Sequence, residues 1–339
     1  MIKKTVIYLV IFLLTGLLQS CSTESDLPQY LSDTGNVIEL TLADANQPVF
    51  ALIYIAKAKG YFTDVGLNVT YQKHSSGRDA LNSLLSNKAD VATVYETPIV
   101  IQAFDKKPMR ILSTLHSSER NTGLAVRHEL GEGTLQDVVG KRIAVPFDTN
   151  AQFFLNQFLT SEGISLDQIT FVDTKPQDSV QLFLEGKVDA VAAWNPNLYN
   201  AKNSFPATQV HTYYSDLYTE MSMLVTTGTK LQTTRQAYLR LLHGIKKAEG
   251  YLIQHPEESK EIVIKELEPT FSRETIDSVW EDFTAEYNLS NSLFGLLSQE
   301  AEWMKKKGIA RGELPNFRHY IDTSLLLEVN PGKVTLLNQ

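Results

Sequence analysis

Lys187-Val-Asp-Ala-Val-Ala-Ala-Trp-Asn-Pro196 is the stretch that decides the fold, because a close copy lies 99 residues earlier. The earlier copy is Lys88-Ala-Asp-Val-Ala-Thr-Val-Tyr-Glu-Thr-Pro98. Three pairs of residues correspond at that spacing: Lys88 with Lys187, Asp90 with Asp189, and Tyr95 with Trp194. A unit repeated at this distance predicts two similar domains that face each other.

The residues before each copy predict a helix and a tight turn. Apolar residues at helical spacing correspond in the two copies: Leu81, Leu84 and Leu85 with Val180, Phe183 and Leu184. Asn87 and Gly186 follow them, and these are the two residue types that most often end a helix in a left-handed cap. Each copy is therefore predicted to run helix, turn, buried strand and polar loop. Tyr95 and Trp194 then open the loops, where strands end at a cleft.

The first 20 residues resemble a secretory signal peptide and are set apart from the fold. Two lysines precede an apolar run from Thr5 to Leu18, which is too short to span a membrane. Cys21 is the single cysteine, and Leu18-Gln-Ser-Cys21 resembles a bacterial lipoprotein signal that is cleaved before a lipid-carrying cysteine. We expect a signal peptide over 1–20 and a lipidated tether over 21–36. The alternative is a plain signal peptide with an unmodified cysteine.

Composition and charge place the chain among ordinary globular proteins. Of its 339 residues, 43% are hydrophobic and 21% are charged, and the net charge is −8. That acidic balance argues against a nucleic-acid partner. A mature chain of about 320 residues is long for one domain and suits two. A single cysteine excludes a disulfide within the chain, and we expect a monomer.

Alternating patterns predict an α/β fold. Both halves read as strand, loop, helix, strand, helix, strand, which favours largely parallel sheets with helices on their faces. In such sheets ligands bind outside the carboxyl ends of the strands, where the polar loops of this chain lie. After residue 226 the pattern changes to consecutive helices, which we expect to pack back onto the first domain.

Motifs for catalysis are missing from the sequence. It contains no Gly-x-Ser-x-Gly elbow and no phosphate loop ending in Gly-Lys-Ser/Thr. Gly131-Glu-Gly133 lacks the third glycine of a dinucleotide site, and no two of the seven histidines have the helical spacing of metal ligands. We therefore expect no enzyme activity, no cofactor and no metal site.

The loops after the strands supply the candidate ligand-binding residues. Tyr95 and Trp194 are predicted to clamp a small solute between the domains, with a core role as the alternative. On the clamp hypothesis, Trp194→Ala abolishes binding and leaves stability nearly unchanged. Small polar residues in Ser75-Ser-Gly77 and Thr149-Asn-Ala151 can bind an anion at a helix N-terminus or simply cap the helix. The full candidate set is Asp44, Asn46, Gln47, Ser75, Ser76, Gly77, Tyr95, Glu96, Thr97, Ser117, Asp148, Thr149, Asn150, Trp194, Asn195 and Glu220.

Five stretches carry a resemblance to a known family: Tyr54 to Val69, Asn87 to Pro98, Leu135 to Val145, Leu184 to Pro196 and Leu314 to Asp322. Together they resemble the substrate-binding proteins of bacterial ABC importers of the nitrate/sulfonate/taurine type. Relatives of those proteins bind pyrimidine precursors of thiamine. The resemblance covers nearly the whole mature chain, and it agrees with a lipoprotein anchored outside the cytoplasmic membrane.

The resemblance implies a two-lobe periplasmic-binding-protein fold of type II. Two sheets would be joined by two hinge strands, and the helical C-terminal part would pack on lobe 1. We expect lobe 1 to comprise residues 37–119 and 221–339, and lobe 2 to comprise residues 120–220. The lobes would close on a small solute by a hinge motion and then dock on a membrane permease.

The identity of the solute stays open at this point. Asp44, Glu96, Asp148 and Glu220 outnumber Arg78 and Lys175 among the predicted cleft loops, which disfavours a bare anion such as nitrate. A nitrogen heterocycle or amine fits that balance, since Glu96 could pair with an N–H group while the aromatic residues stack on the ring. Taurine-like sulfonates remain an alternative because they carry both charges.

Two other functional classes remain as alternatives. One is an extracytoplasmic sensor that reports its ligand to a receptor, and nothing in the sequence separates it from a transport protein. The other is an enzyme of the pyrimidine-synthase branch of the same fold. The secretion signal and the lack of a cysteine cluster argue against that enzyme.

Overall fold

The structure is a computed structural model that describes residues 28–31, 35–128, 133–268 and 270–336. It separates into a first unit that ends at Asp33 and a second unit that begins at Thr34. The described part of the first unit is a single turn of 3-10 helix, Gln29–Leu31. The predicted signal peptide and Cys21 lie outside the described residues. Everything below concerns the second unit.

Six strands form the first sheet in the order β11-β4-β10-β3-β1-β2. β1 pairs in parallel with β2 and β3, whereas β10 runs antiparallel to β3 and β4, and β11 runs antiparallel to β4. The strands are β1 (Ile38–Asp44), β2 (Leu67–Lys73), β3 (Val91–Tyr95), β4 (Met109–Ser118), β10 (Glu220–Thr227) and β11 (Thr284–Ala285).

Five strands form the second sheet in the order β7-β6-β8-β5-β9. β6 pairs in parallel with β7 and β8, and β5 runs antiparallel to β8 and β9. The strands are β5 (Thr122–Arg127), β6 (Arg142–Val145), β7 (Thr170–Asp173), β8 (Ala190–Trp194) and β9 (Val210–Tyr213).

The α/β class and the periplasmic-binding-protein fold are confirmed, but the expectation of parallel-rich sheets is wrong in detail. Both sheets are mixed, because the chain passes between them twice. It leaves the first sheet after β4 and enters the second as β5, and it returns after β9 as β10. β5 and β10, the strands by which the chain enters a sheet, are antiparallel to both of their neighbours. Antiparallel pairs are therefore at least as common as parallel pairs.

The two copies of the repeat occupy equivalent places, as predicted. β3 and β8 each lie inside a sheet and are buried along their whole length. Helix α2 (Gly77–Leu85) precedes β3, and helix α5 (Pro176–Leu184) precedes β8. The turns contain residues with left-handed backbone, Asn87 at φ 58° and Gly186 at φ 66°. Asparagine and glycine tolerate this conformation best, which explains why they occupy the equivalent turn position in the two copies.

The C-terminal helices pack on the first sheet's side, as predicted. Helix α8 contacts α1, β1 and β2, and helix α11 contacts α3. Helix α11 also reaches the other side, where the Trp303 ring lies 5.1 Å from that of Phe153 on α4. The remaining helices are α1 (Ala51–Ala58), α3 (Glu96–Phe104), α4 (Asn150–Ser161), α6 (Asn197–Lys202), α7 (Gly228–Thr233), α8 (Arg235–Gln254), α9 (Pro256–Leu267), α10 (Arg273–Val279), α11 (Asn291–Lys306) and α12 (Ser324–Val329).

Candidate functional site

A polar cavity of about 480 Å³ lies between elements of the two sheets. The loops after β1 and β2 contribute one wall, helices α5 and α6 contribute the other, and the segment between α9 and α10 closes one side. Within the described chain, every lining side chain is uncharged or a histidine. The lining residues are Asn46, Gln47, His74, Ser75, Pro176, Gln177, Val180, Gln181, Asn197, Asn200, Thr270 and Phe271.

Asn46 has an unusual conformation in the first wall. Its φ of 53° is left-handed, and the Asp44 carboxylate stabilises the turn by accepting from the Asn46 backbone N–H at 3.0 Å. Asn46 Nδ2 donates to Thr270 Oγ1 at 3.0 Å, whereas Oδ1 has no partner among the described residues. The Nε2 atom of His74 is also buried without a partner in that part of the chain. Both atoms are enclosed by protein, and a buried polar atom without a hydrogen bond lowers the stability of the folded chain.

Asp44 lies behind this wall and does not line the cavity. Its carboxylate accepts from the Tyr54 hydroxyl at 3.1 Å on each oxygen. Burial raises the pKa of Asp44 to about 6, while the hydrogen bonds from the Asn46 backbone and from Tyr54 act in the opposite direction. Asp44 therefore shapes the loop that presents Asn46.

Trp194, Gln47 and Tyr95 join the ends of the two repeated strands. The rings of Tyr95 and Trp194 lie 6.0 Å apart between centroids with planes tilted by 35°, so they contact each other directly. The Gln47 side chain connects Trp194 and Asn195 when its amide is oriented so that both its oxygen and its nitrogen form hydrogen bonds. Trp194 Nε1 then donates to Gln47 Oε1 at 3.3 Å, and Gln47 Nε2 donates to the Asn195 carbonyl at 3.1 Å. The predicted clamp residues therefore meet behind the cavity, and Gln47 connects them to it.

The Glu220 carboxylate lies at the junction of the two sheets and is fully buried. One oxygen accepts from Asn121 Nδ2 at 2.5 Å and contacts His116 Nε2 at 3.0 Å. The other accepts from Asn150 Nδ2 at 3.1 Å and from the Thr122 hydroxyl. These partners come from β4, the start of β5 and the start of α4. Glu220 therefore connects both segments that pass between the sheets.

A second group of buried carboxyls lies beside Glu220. Glu96 accepts from the Tyr218 hydroxyl and from the Met221 backbone N–H, while Thr97 Oγ1 donates to Glu300. Burial raises the pKa of Glu96 well above its ordinary value, and the neighbouring Glu300 and Glu220 raise it further. Burial also raises the pKa of Glu300 to about 8, against the effect of the Thr97 hydrogen bond.

The raised pKa of Glu300 predicts a pH-dependent stability. The folded state holds a proton that the unfolded chain releases above its ordinary pKa of 4.5, so stability falls as the pH rises from about 4.5 to about 8. The slope for one proton is about 1.4 kcal/mol per pH unit. Glu300→Gln removes this titration, so the variant is expected to gain stability relative to the wild type across that window. Denaturant unfolding at pH 5, 6, 7 and 8 measures the difference.

Glu302→Gln is the control, since Glu302 lies on the same helix and is exposed. It should follow the wild type at every pH. Parallel curves for Glu300→Gln and Glu302→Gln would contradict the assignment of the proton to the buried carboxyls.

The remaining candidates from the loop after β2 have local partners. Ser75 lines the cavity and donates to Asp79 Oδ2 at 2.7 Å. Ser76 caps α2, because its hydroxyl accepts from the Asp79 backbone N–H at 3.2 Å. Gly77 lies so close to β3 that a Cβ atom there would be 3.1 Å from the Tyr95 backbone nitrogen. Close packing of α2 on β3 therefore requires glycine at this position.

Other candidates lie away from the cavity. Ser117 donates to Glu286 Oε1 at 3.1 Å, next to β11. The Asp148 side chain is exposed, and its backbone has a φ of 57°. Thr149 donates to the Pro146 carbonyl at 2.7 Å, and Asn195 Nδ2 donates to Asp282 Oδ2 at 2.7 Å. The side chains of Ser117, Thr149 and Asn195 therefore bind neighbouring protein groups, and that of Asp148 is exposed.

Sequence patterns did not reveal most of the cavity wall, since only Asn46, Gln47 and Ser75 of the twelve lining residues were candidates. His74, Gln177, Gln181, Asn197, Asn200 and Thr270 were not among the candidates, although they line it. The repeat contains a signal for one of them, because Pro176-Gln177 lies 99 residues after Gly77-Arg78. Thr270 follows α9 in the C-terminal part, where no repeat exists to point at it.

Two negative observations hold for the described ranges. They contain no group of three or more His, Cys, Asp or Glu side chains placed to bind a metal ion. Within the same ranges, no helix has both the length and the apolar character required to cross a membrane.

Two mixed sheets, two connecting segments and a polar cavity between them define a protein of the periplasmic-binding-protein fold. The fold matches that of the alkanesulfonate-binding protein SsuA of Xanthomonas axonopodis pv. citri, solved with MOPS bound, with a TM-score of 0.72 and 15% identity. That match covers 84% of this chain and 98% of the other. The family model described as NMT1/THI5 like matches residues 47–259, and the chain therefore belongs to the NMT1/THI5-like family.

Two curated relatives match a smaller share of this chain. A protein of Brucella abortus (strain 2308) that carries only a general binding-protein name is 23% identical over 216 residues, which are 63% of this chain and 66% of that protein. The taurine-binding periplasmic protein of Escherichia coli (strain K12) is 24% identical over 143 residues, which are 42% of this chain and 44% of that protein. The chain thus matches just under two thirds of the first relative's length and less than half of the second's.

Proposed function

We propose that the chain is an extracytoplasmic solute-binding protein that captures a small organic solute and delivers it to the permease of an ABC importer. The observation that carries the proposal is the cavity of about 480 Å³ whose walls come from both sheets. A solute bound there contacts elements on both sides, so it favours the arrangement in which they lie together. Residues 37–119 and 221–339 form one lobe in this proposal, and residues 120–220 form the other.

The connecting segments support a hinge at the junction of the sheets. β4 continues into β5 after three residues, and Tyr218 and Glu220 lie on the return from β9 to β10. The Glu220 carboxylate binds groups on both passes, so rotation of the lobes would change few other contacts there.

The relatives' names indicate one class of solute. Binding of alkanesulfonate and of taurine, an amino-substituted alkanesulfonate, is recorded in the names of proteins that share the fold or part of the sequence. For this chain we propose a sulfonate or taurine-like compound on that basis, or a nitrogen heterocycle, whose N–H and ring nitrogen groups match the amide side chains of the cavity. Binding needs no covalent step, and we propose a monomeric, non-catalytic protein without a cofactor.

A thermal-shift screen of residues 22–339 tests the proposed function. The panel contains taurine, alkanesulfonates, nitrate, aminopyrimidines, thiamine, riboflavin and simple amines. A ligand at 100 times its dissociation constant adds about 2.7 kcal/mol to the free energy of unfolding, which raises the melting temperature by a few degrees. One chemical class of hits is expected. A flat panel would contradict capture of these solutes and would favour the sensory alternative with another ligand.

Lipid anchoring at Cys21 is the second part of the proposal. Cys21→Ser is expected to abolish incorporation of labelled palmitate and to release the protein from the membrane fraction, because the thiol is the site of attachment. Expression of the full chain in a bacterium with metabolic labelling measures both effects. Ser22→Ala is the control and should label normally. Equal labelling of the Cys21→Ser variant would overturn the anchor.

A further inference from the structure

We infer that the cavity selects an uncharged solute bearing hydrogen-bond donors and acceptors over a sulfonate, carboxylate or nitrate anion. The inference rests on the proposed function and narrows its solute class. It differs from the ligands in the names of the matched relatives, and it follows from the missing charges and the amide groups of the wall.

The wall offers no compensating charge for an anion. None of the twelve lining residues in the described part of the chain is Lys, Arg, Asp or Glu. Burial lowers the pKa of His74, although nearby Asp79 partly offsets this, so the imidazole stays neutral at physiological pH. An ion removed from water needs a charged partner or several strong hydrogen bonds to repay its lost hydration. A wall of neutral amide groups can replace the hydrogen bonds that a neutral polar solute loses on leaving water.

The two cations predicted for the cleft loops lie outside this cavity. Arg78 and Lys175 line a neighbouring cavity together with Asp173 and Asp178, which balance them. The Arg78 guanidinium donates to the Phe147 carbonyl at 2.5 Å, and its Nε lies 3.9 Å from Asp79 Oδ1. Neither cation lines the cavity that contains Asn46.

The N-termini of the two longer helices at the cavity, α2 and α5, are partly neutralised. Helices α2 and α5 begin at its walls, and a free helix N-terminus attracts anions. Each helix, however, has an aspartate in its first turn, Asp79 in α2 and Asp178 in α5. Helix α5 begins with Pro176, which has no backbone N–H to donate. The remaining positive potential is therefore small.

Amide side chains make up most of the polar wall. Each of them offers a solute both N–H donors and a carbonyl acceptor: Asn46, Gln47, Gln177, Gln181, Asn197 and Asn200. Carboxamides, sulfonamides and amino-substituted heterocycles carry the matching groups without a charge.

Matched pairs of probes test the inference by titration calorimetry on residues 22–339. The pairs are ethanesulfonamide with ethanesulfonate, and nicotinamide with nicotinate, each at the same pH and ionic strength. The uncharged member is expected to bind at least about tenfold more tightly, a difference of about 1.4 kcal/mol, because the wall supplies no charged partner for the anion. Tighter binding of the anions would overturn this inference and would leave the proposed function intact. Failure of every probe to bind would count against both.

Variants at two left-handed asparagines localise the effect. Asn46→Gly removes the cavity carbonyl while keeping a residue that accepts φ 53°, and Asn87→Gly makes the same change at φ 58° outside the cavity. Asn46→Gly is expected to weaken the uncharged probe about tenfold and to leave the anionic probe unchanged, whereas Asn87→Gly alters neither. Equal effects of the two variants on the uncharged probe would overturn the role of Asn46. Melting temperatures without probe show that both variants fold.

Discussion

Trp194→Ala is expected to lower the free energy of unfolding by about 3–5 kcal/mol, the range for removing a large aromatic side chain from a core. Trp194 is 1% exposed and belongs to the apolar cluster of the second sheet. Phe153, Phe154 and Tyr218 are members of the same cluster, and the Tyr95 ring contacts Trp194 directly. Urea unfolding monitored by far-UV circular dichroism measures the change.

The burial of Trp194 leads to a different expectation from the clamp hypothesis, on which Trp194→Ala leaves stability nearly unchanged. An aromatic residue at the end of a repeated strand can face an open cleft or pack in the core. The sequence pattern is the same in both cases. Trp280→Ala is the matched control, because Trp280 is only half-buried and should cost clearly less. If Trp194→Ala had the same urea midpoint of unfolding as the wild type, the ring would not stabilise the core.

Glu220→Ala is expected to cost about 3–5 kcal/mol, because removing one member of a buried charged network leaves the others unpaired. His116, Asn121, Thr122 and Asn150 would all lose their contact with the carboxylate, and Asn150 would keep its bond to the Thr122 hydroxyl. Glu119→Ala is the control, since this exposed carboxylate lies on the other connecting segment, between β4 and β5, and should change stability by no more than about 0.5 kcal/mol.

A double-mutant cycle tests whether the network joins the two sheets. Asn150 starts α4 beside the second sheet, and Glu220 starts β10 of the first. The combination of Glu220→Ala with Asn150→Ala is expected to cost less than the sum of the single changes, by about 0.5–3 kcal/mol. Strict additivity would mean that the Asn150 contact carries no coupling between the sheets.

The repeat was sufficient to predict the central strands and their turns. Leu84 and Phe183 set the helix spacing, and Asn87 and Gly186 set the left-handed turns, because both signals are local in the chain. The direction of β10 was not predictable in this way. Its place between β3 and β4 depends on a return from the second sheet, which no local pattern records.

The candidate site was predicted in part, again for physical reasons. Asn46, Gln47 and Ser75 follow strands of the first sheet, and the rule about carboxyl ends of strands finds them. Glu300 on α11 and Thr270 after α9 come from far along the chain, so only tertiary packing brings them to Thr97 and Asn46. Ser117 lies near the end of β4 and Asp148 follows β6, but the Ser117 side chain binds Glu286 and the Asp148 side chain is exposed to solvent.

The most direct test of the central claim is to fill the cavity and measure solute binding. Gln177 is an exposed residue of α5 that lines the cavity, so Gln177→Trp fills the space without disturbing the core. Gln232→Trp places the same side chain on exposed α7 and serves as the control. Titration calorimetry with the strongest compound from the screen is expected to give one site per chain in the wild type and in Gln232→Trp, and no binding in Gln177→Trp. Unchanged binding by Gln177→Trp, with normal melting, would contradict capture of the solute between the two sheets.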